Sequence, residues 1–208
     1  RAAGVDLDEM GCDQAALTAD RLAAVPLVAV VSSPLERCRQ TAQHILDRQA
    51  GTPSAPIDVD LIECDYGQWQ GRSLTELATE DLWPLVQSQP SAVVFPGGES
   101  MAAMQARSVA AIRRRDAAFE AEHGPEAVWV AVSHGDIIKS ILADALGMHL
   151  DLFQRITVGP ASVSVVRYGA SRPTVHATNT DAGDLSWLSK GIRSGDAPVG
   201  GGAGHRIP

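Results

Sequence analysis

The sequence predicts a three-layer α/β/α fold around a mostly parallel sheet, on two observations. Unbroken apolar runs at residues 27–31 and 128–132 are typical of strands that are covered on both faces. Each run is followed at once by a helical pattern, and strands that alternate with helices favour a parallel sheet with helices on both sides. We expect one such domain over residues 1–190.

Helical spacing of apolar residues supplies the outer layers. It predicts helices over residues 6–24, 34–49, 73–88 with a break at Pro84, 99–122, and from His134 to a C-cap at Gly147. For the second helix the local signals are strong, because Ser33 suits the N-cap and Pro34 the first helical position. Glu36 then completes a capping box.

The remaining segments are two further strands and several loops. We expect the strands at 162–168 and 173–178 to be neighbours, and a possible short strand from Ile57 to Val59. Residues 61–71 have no clear period and are predicted to form an ordered loop. Residues 191–208 are rich in Gly, Ala, Pro and Ser, which predicts a mobile tail.

Composition excludes some classes of function. The net charge of −8 argues against sequence-independent binding to nucleic acid, which needs a basic face. No run of about 18 apolar residues is present, so we expect no membrane span. The three cysteines are an odd count without CxxC spacing, which favours reduced thiols and a cytoplasmic protein.

The best candidate site lies where the two strongest strands end. Ligands of open α/β sheets bind beyond the carboxyl ends of strands, where helix N-termini also point. The first strand leads into a helix that carries Arg37, and the second leads directly to His134. A cationic or ionisable side chain beside free helical N–H groups favours an anion, of which phosphate is the commonest.

Five segments resemble, in their order, motifs of the histidine phosphatase (phosphoglycerate-mutase-like) superfamily. Residues 33–42 (SPLERCRQTA) are similar to its SPxxRxxxTA segment, and residues 132–135 (VSHG) to its second catalytic-histidine motif. Residues 61–71 (LIECDYGQWQG) resemble its LxExxxGxWxG loop. The helix entry at 6–15 and the FPGGES turn at 95–100 complete the set.

The resemblance implies a phosphoglycerate-mutase-like fold, and the detail at 153–155 and 162–164 looks most like an actinobacterial phosphomutase-like branch. In this family the first strand ends in Arg-His-Gly, and that histidine is phosphorylated during turnover. None of the six histidines of the chain lies in such a motif. We therefore expect the nucleophile in a strand upstream of residue 1, and the domain over 1–190 to be truncated at its N-terminus. A chain without that strand would leave its neighbours unpaired.

The resemblance also implies a role for each matching residue. Arg37 would bind phosphate oxygens with its planar guanidinium, and His134 would lie against the same phosphate as an imidazolium. Glu63 would be the general acid, with Asp65 as a competitor two residues on. Gly135 would let backbone approach the phosphate, or else form a tight turn.

Other residues near these motifs are expected to be structural or peripheral. Arg72, Trp69 and Tyr66 are candidates for the border of the substrate site, with packing as an equal alternative for the two aromatics. Asp136 is interpreted as a helix cap. The turn at 97–99 and the solvated arginines at 113–115 complete the structural set.

The expected activity is hydrolysis of a small phosphorylated metabolite through a phosphohistidine, with no metal and no cofactor. A phosphomutase needs the same residues, and a non-catalytic homologue that binds a phosphorylated ligand or a partner protein is a third reading. The short segment between Gly71 and Phe95 favours the phosphatase, since mutases of this family tend to carry longer insertions there. A homo-oligomer is possible.

Overall fold

Two pairs of strands form the β layer of the protein. The computed structural model describes residues 4–169, 172–183 and 185–190. Strands β1 (Leu27–Ser32) and β2 (Val128–Val132) pair in parallel. Strands β3 (Val163–Arg167) and β4 (Thr174–Thr180) pair antiparallel and are neighbours, as predicted. The predicted tail at 191–208 lies outside the described residues.

The helices carry the outer layers, and the predicted α/β class is confirmed. Their bounds are α1 Glu9–Leu22, α2 Glu36–Leu46, α3 Leu74–Leu77, α4 Trp83–Ser88, α5 Met101–His123 and α6 Gly135–Ala145. Short 3-10 turns lie at Val59–Leu61, Gly67–Trp69, Pro90–Ala92, Leu150–Arg155 and Ser186–Lys190. No helix in the described part of the chain has the length and apolar content needed to cross a membrane.

Buried side chains lie on both faces of β1, which explains the three layers. Ala29 and Val31 belong to a core cluster that α5 and α6 complete. Val30 points the opposite way and packs with Leu22 of α1 and Ile45 of α2. Successive strand residues point to opposite faces, so a continuous apolar run must be covered twice.

The sequence signals for helix ends predicted some helix boundaries wrongly. Helix α2 begins at Glu36 with Leu35 as its N-cap, and no side chain caps it. The predicted capping box of Ser33 and Glu36 is therefore wrong, because the Ser33 hydroxyl bonds elsewhere. The break in the 73–88 helix precedes Pro84, which lies in the first turn of α4.

Two smaller expectations also change. Ile57 makes a single parallel bridge to Ser32, and Val59 begins a 3-10 turn, so no strand forms there. The C-cap of α6 is Leu146, and Gly147 follows it with a φ of 66°. Glycine adopts this left-handed conformation without the penalty of a Cβ, so it ends the helix one residue beyond the cap.

A slot separates the two strand pairs. Among the described strands β2 pairs with β1 alone and β3 with β4 alone, so one backbone edge of each faces the gap. The gap is a cavity of about 610 Å³ lined by residues of β2 and β3 and by apolar side chains of α5 and α6, and it reaches the carboxyl end of β2. We call this cavity the slot.

Candidate active site

The carboxyl ends of β1 and β2 bring two distant segments together. Ser32 pairs with Val132 in the last step of the ladder, and the Ser33 N–H donates to the Val132 carbonyl at 2.9 Å. His134 follows β2 in extended conformation at the N-cap of α6, and Arg37 lies in the first turn of α2. Parallel pairing therefore places both side chains at one edge of the sheet, where the slot ends.

His134 is the centre of the candidate site. Its side chain is buried, and Arg37 Nη2 lies 3.1 Å from its Nδ1. The Glu63 carboxylate oxygen Oε2 lies 4.0 Å from the same nitrogen. The structure thus brings together the three residues that the sequence proposed for phosphate binding and proton transfer.

The surroundings of His134 determine its protonation state. Burial, reinforced by the positive charge of Arg37, lowers the pKa of His134 to about 3. The ring of the protein alone is therefore neutral near pH 7, and the imidazolium implied for a site that holds a phosphate stays a prediction. A negative charge beside the ring would be needed to raise the pKa again, and the phosphate of a substrate carries such a charge.

Glu63 has the properties of a general acid. Burial raises the pKa of its carboxyl to about 7, with Asp136 adding to the rise, while the Cys64 N–H and Arg37 oppose it. The Cys64 N–H donates to Glu63 Oε1 at 2.9 Å. A carboxyl with a pKa near 7 is protonated in a large fraction of molecules at neutral pH, as proton donation to a leaving group requires.

Asp65, the competitor for that role, is turned towards its own loop. Its Oδ1 accepts hydrogen bonds from the Gly67 N–H at 3.1 Å and from Gln70 Nε2 at 2.8 Å. Those bonds stabilise the turn that follows. Of the two carboxylates, the one near His134 is that of Glu63.

The loop that carries Glu63, residues 61–71, is held by an arginine that the sequence analysis missed. We call these residues the acid loop. Arg107 of α5 donates to the carbonyls of Asp60 and Ile62 at 2.7 and 2.8 Å, and more weakly to that of Glu63 at 3.3 Å. Its guanidinium also binds the Glu99 carboxylate at 2.6 Å. The spacing of eight residues between Glu99 and Arg107, about two helical turns, was the available signal.

Glu99, Gly98 and Gly67 hold the acid loop against the 95–100 turn. The Asp65 N–H donates to Glu99 Oε1 at 2.8 Å. A Cβ on Gly98 would lie 2.1 Å from the Asp65 carbonyl oxygen, and one on Gly67 would lie 2.2 Å from that of Pro96. Only glycine permits this approach, so the structural role predicted for residues 97–99 has a definite geometry.

Gly135 and Asp136 begin α6 beside the site. A Cβ on Gly135 would meet nothing within 4 Å, and Gly135 has no positive φ, so neither packing nor a tight turn requires glycine there. Close approach of a phosphate to its N–H stays a prediction. Asp136 does not cap the helix as predicted, because its Oδ2 accepts a 2.7 Å hydrogen bond from the Tyr66 hydroxyl.

The peripheral candidates are accounted for by packing and ion pairs. Trp69 packs against Trp83 and Phe95, and Arg72 pairs with Glu80 at 2.6 Å. The expected solvated arginines at 113–115 are partly exposed, but each also pairs with an aspartate, at Asp144 or Asp58 and Asp60. In the described part of the chain no cluster of His, Cys, Asp and Glu could hold a metal ion.

The comparison with known proteins agrees with the family resemblance of the sequence motifs. The family model of the histidine phosphatase superfamily (branch 1) matches residues 1–181. The bifunctional protein Rv2228c of Mycobacterium tuberculosis is 33% identical over 169 residues, which are 79% of this chain and 44% of that protein. The chain thus spans less than half the length of that relative. Phosphoserine phosphatase 1 of Hydrogenobacter thermophilus is 31% identical over 180 residues, covering 84% of this chain and 80% of that protein.

A solved structure is similar over most of the fold. The mycobacterial glucosyl-3-phosphoglycerate phosphatase Rv2419c, in its complex with inorganic phosphate, superposes with a TM-score of 0.73 at 25% identity. The match covers 84% of this chain and 87% of that one. The relatives include mycobacterial proteins, while the source of this chain stays a prediction.

Proposed function

The chain belongs to the histidine phosphatase superfamily, and we propose that it hydrolyses a small phosphomonoester through a phosphohistidine intermediate, without a metal or cofactor. One observation carries the proposal. Arg37, Glu63 and His134, which lie far apart in the sequence, converge at the end of the slot. The names of relatives, which include phosphoserine phosphatase and glucosyl-3-phosphoglycerate phosphatase, support the reaction class.

The slot supplies the place for the nucleophile. Its apolar walls, and the edges of β2 and β3 that have no strand partner among the described residues, suit one extended, apolar strand. We infer that a strand from the segment preceding residue 1 in the intact protein fills it. A residue at the carboxyl end of such a strand would face His134 and Arg37, and the family resemblance assigns a histidine to that position.

The remaining chemistry divides among three residues. Arg37 binds the phosphoryl oxygens, whose negative charge grows as the group transfers. Glu63 gives its proton to the leaving oxygen as the bond from phosphorus to that oxygen breaks and the bond to the nucleophilic histidine forms. In the second step the Glu63 carboxylate takes a proton from water, which attacks the phosphohistidine and releases inorganic phosphate.

His134 acts on the phosphate. In this structure it is neutral, and the approach of a phosphate dianion favours its protonation. It would then donate a charge-assisted hydrogen bond to a phosphoryl oxygen.

Substitution of His134 tests the assignment. In the intact enzyme His134→Ala should lower kcat on p-nitrophenyl phosphate by about two orders of magnitude or more. The matched control is His176→Ala, because His176 is exposed on β4. Near-normal turnover of the His134 variant, with folding unchanged by circular dichroism, would overturn the proposal.

Glu63 is tested by the leaving group. Glu63→Gln should cost more rate on an alkyl phosphate, whose leaving oxygen needs a proton, than on p-nitrophenyl phosphate. Equal losses on both would point to a binding role. Activity in excess EDTA should be undiminished, and its loss would contradict the metal-free mechanism.

The sequence upstream of residue 1 decides between the enzyme and a non-catalytic homologue. A strand ending in Arg-His-Gly is expected, and any other residue in place of that histidine would overturn the mechanism. A phosphomutase would use the same residues. The measured rate at which water dephosphorylates the phosphoenzyme separates the two, since a phosphatase turns over fast in water alone.

A further inference from the structure

Ser33 is fully buried, and its hydroxyl faces His134. Ser33 Oγ lies 2.7 Å from His134 Nε2, although the two residues are 101 positions apart in the sequence. Its contact with the Leu35 N–H is long, at 3.4 Å. The hydroxyl that the sequence assigned to a helix cap therefore makes its short hydrogen bond to the imidazole.

The neighbours of the ring determine where its proton is. A guanidinium group only donates hydrogen bonds, so Nδ1, which lies 3.1 Å from Arg37 Nη2, must present a lone pair. A neutral imidazole then carries its proton on Nε2. Nε2–H donates to Ser33 Oγ, and this bond selects one tautomer and one ring orientation.

We propose that Ser33 is a positioning residue for His134, whose hydroxyl accepts the Nε2–H proton and holds Nδ1 towards Arg37 and Glu63. The orientation itself stands on the contacts alone. Its catalytic consequence rests on the proposed function. If His134 contacts the phosphate, a ring free to rotate would present the wrong nitrogen in a fraction of encounters.

The charged and titratable groups around the ring do not fix its orientation, so the hydrogen bond to Ser33 does. Arg37 and Cys38 face the ring from α2, and Glu63 faces it from the acid loop. Burial raises the pKa of the Cys38 thiol to about 11, so its sulfur, 3.5 Å from Nε2, is uncharged at neutral pH. Because the pKa of His134 is lowered to about 3, the ring stays neutral between pH 5 and 8. Its orientation is then set by donors and acceptors.

The test is the tautomer of His134, read from the imidazole ¹⁵N shifts of the full chain. Its signal is assigned by its disappearance in His134→Gln. We expect the Nε2–H tautomer in the parent between pH 5 and 8, and a mixture of tautomers in Ser33→Ala. Ser32→Ala is the matched control, because Ser32 is a neighbouring buried serine whose hydroxyl donates to the Ser33 carbonyl at 2.8 Å. It should leave the spectrum of His134 unchanged.

Three outcomes overturn the proposal. An Nδ1–H tautomer in the parent does so without any variant, which covers the case of a Ser33→Ala protein that does not fold. An unchanged tautomer in Ser33→Ala, or an equal effect of Ser32→Ala, does so as well. In the intact enzyme Ser33→Ala should also lower kcat about tenfold with KM nearly unchanged. A tautomer shift without that loss would keep the positioning role and count against the proposed role of His134.

Discussion

The acid loop and the slot flank the same histidine, but they are stabilised in opposite ways. Arg107, Glu99 and the backbone of the acid loop satisfy one another through short hydrogen bonds, so the loop that carries Glu63 is fixed by this chain alone. The slot has apolar walls and two strand edges without a strand partner among the described residues.

The difference separates two parts of one site. Under the proposed function Glu63 transfers protons, and such a group must be held in place before the reaction, as the acid loop holds it. The slot, in turn, is where we propose that one more strand lies. Beside the slot, the apolar residues of β2 from Val128 to Ala131 are only half-buried.

The largest expected difference lies in amide exchange. The amides of Asp65 and Glu99 are hydrogen-bonded within the acid loop and its turn. Alternate amides of β2 point into the slot. Exchange at the slot-facing amides should be faster by about a thousandfold, because they need no opening of a hydrogen bond. Mass-resolved or NMR exchange on the chain of residues 1–208 measures this, and equal exchange rates in the two regions would contradict the difference between them.

Removal of the Arg107 side chain should destabilise the fold strongly. Arg107→Ala removes the guanidinium that pairs with the Glu99 carboxylate and binds the carbonyls of Asp60 and Ile62, at a cost of about 3–5 kcal/mol in the free energy of unfolding. Arg113→Ala is the matched control on the same helix, since its pair with Asp144 is exposed and worth at most about 0.5 kcal/mol. Urea unfolding measures both, and similar losses would show that the acid loop does not depend on Arg107.

Substitution of Glu63 should lower activity and raise stability, and the gain in stability should depend on pH. Its pKa in the folded chain, about 7, lies above the ordinary value of 4.5. Folding therefore favours the protonated form, and its contribution to stability is complete below pH 4.5 and is lost as the pH rises through 7. Glu63→Gln, which cannot ionise, should gain about 3 kcal/mol over the parent at pH 8 and nothing at pH 4.

The control for this gain is Glu76→Gln. The Ser73 backbone and hydroxyl lower the pKa of the Glu76 carboxyl, so its neutral analogue should show no gain at alkaline pH. Thermal unfolding across the pH range gives both curves. A gain for Glu63→Gln that does not vary with pH would contradict the raised pKa.

The smallest expected effect concerns Asp136. Its negative charge helps to raise the pKa of Glu63, and its carboxylate is held by the Tyr66 hydroxyl. In the intact enzyme Asp136→Asn should move the alkaline limb of the kcat/KM profile to lower pH by about half a unit. Tyr66→Phe keeps the charge and should leave that limb nearly in place. A larger shift in Tyr66→Phe than in Asp136→Asn would assign the effect to position and not to charge.

Sequence patterns predicted the elements better than their ends. The apolar runs at 27–31 and 128–132 became β1 and β2, because a strand covered on both faces has no other composition. The predicted capping box at Ser33 is wrong, because the residues around Ser33 in the sequence do not show that His134 binds the same hydroxyl. Arg107 was missed because three of its partners are backbone carbonyls, which leave no trace in residue types, and because the spacing from Glu99 was overlooked.

The sequence by itself predicted the α/β class from its apolar runs, and the family and the candidates Arg37, Glu63 and His134 from motifs that resemble those of the superfamily. Only the tertiary structure decided how these residues are arranged. It turned Asp65 away and Glu63 towards His134, and it buried both Glu63 and His134, which moved their pKa values in opposite directions. Burial disfavours whichever form is charged, and burial is a property of the folded neighbourhood, not of the residue.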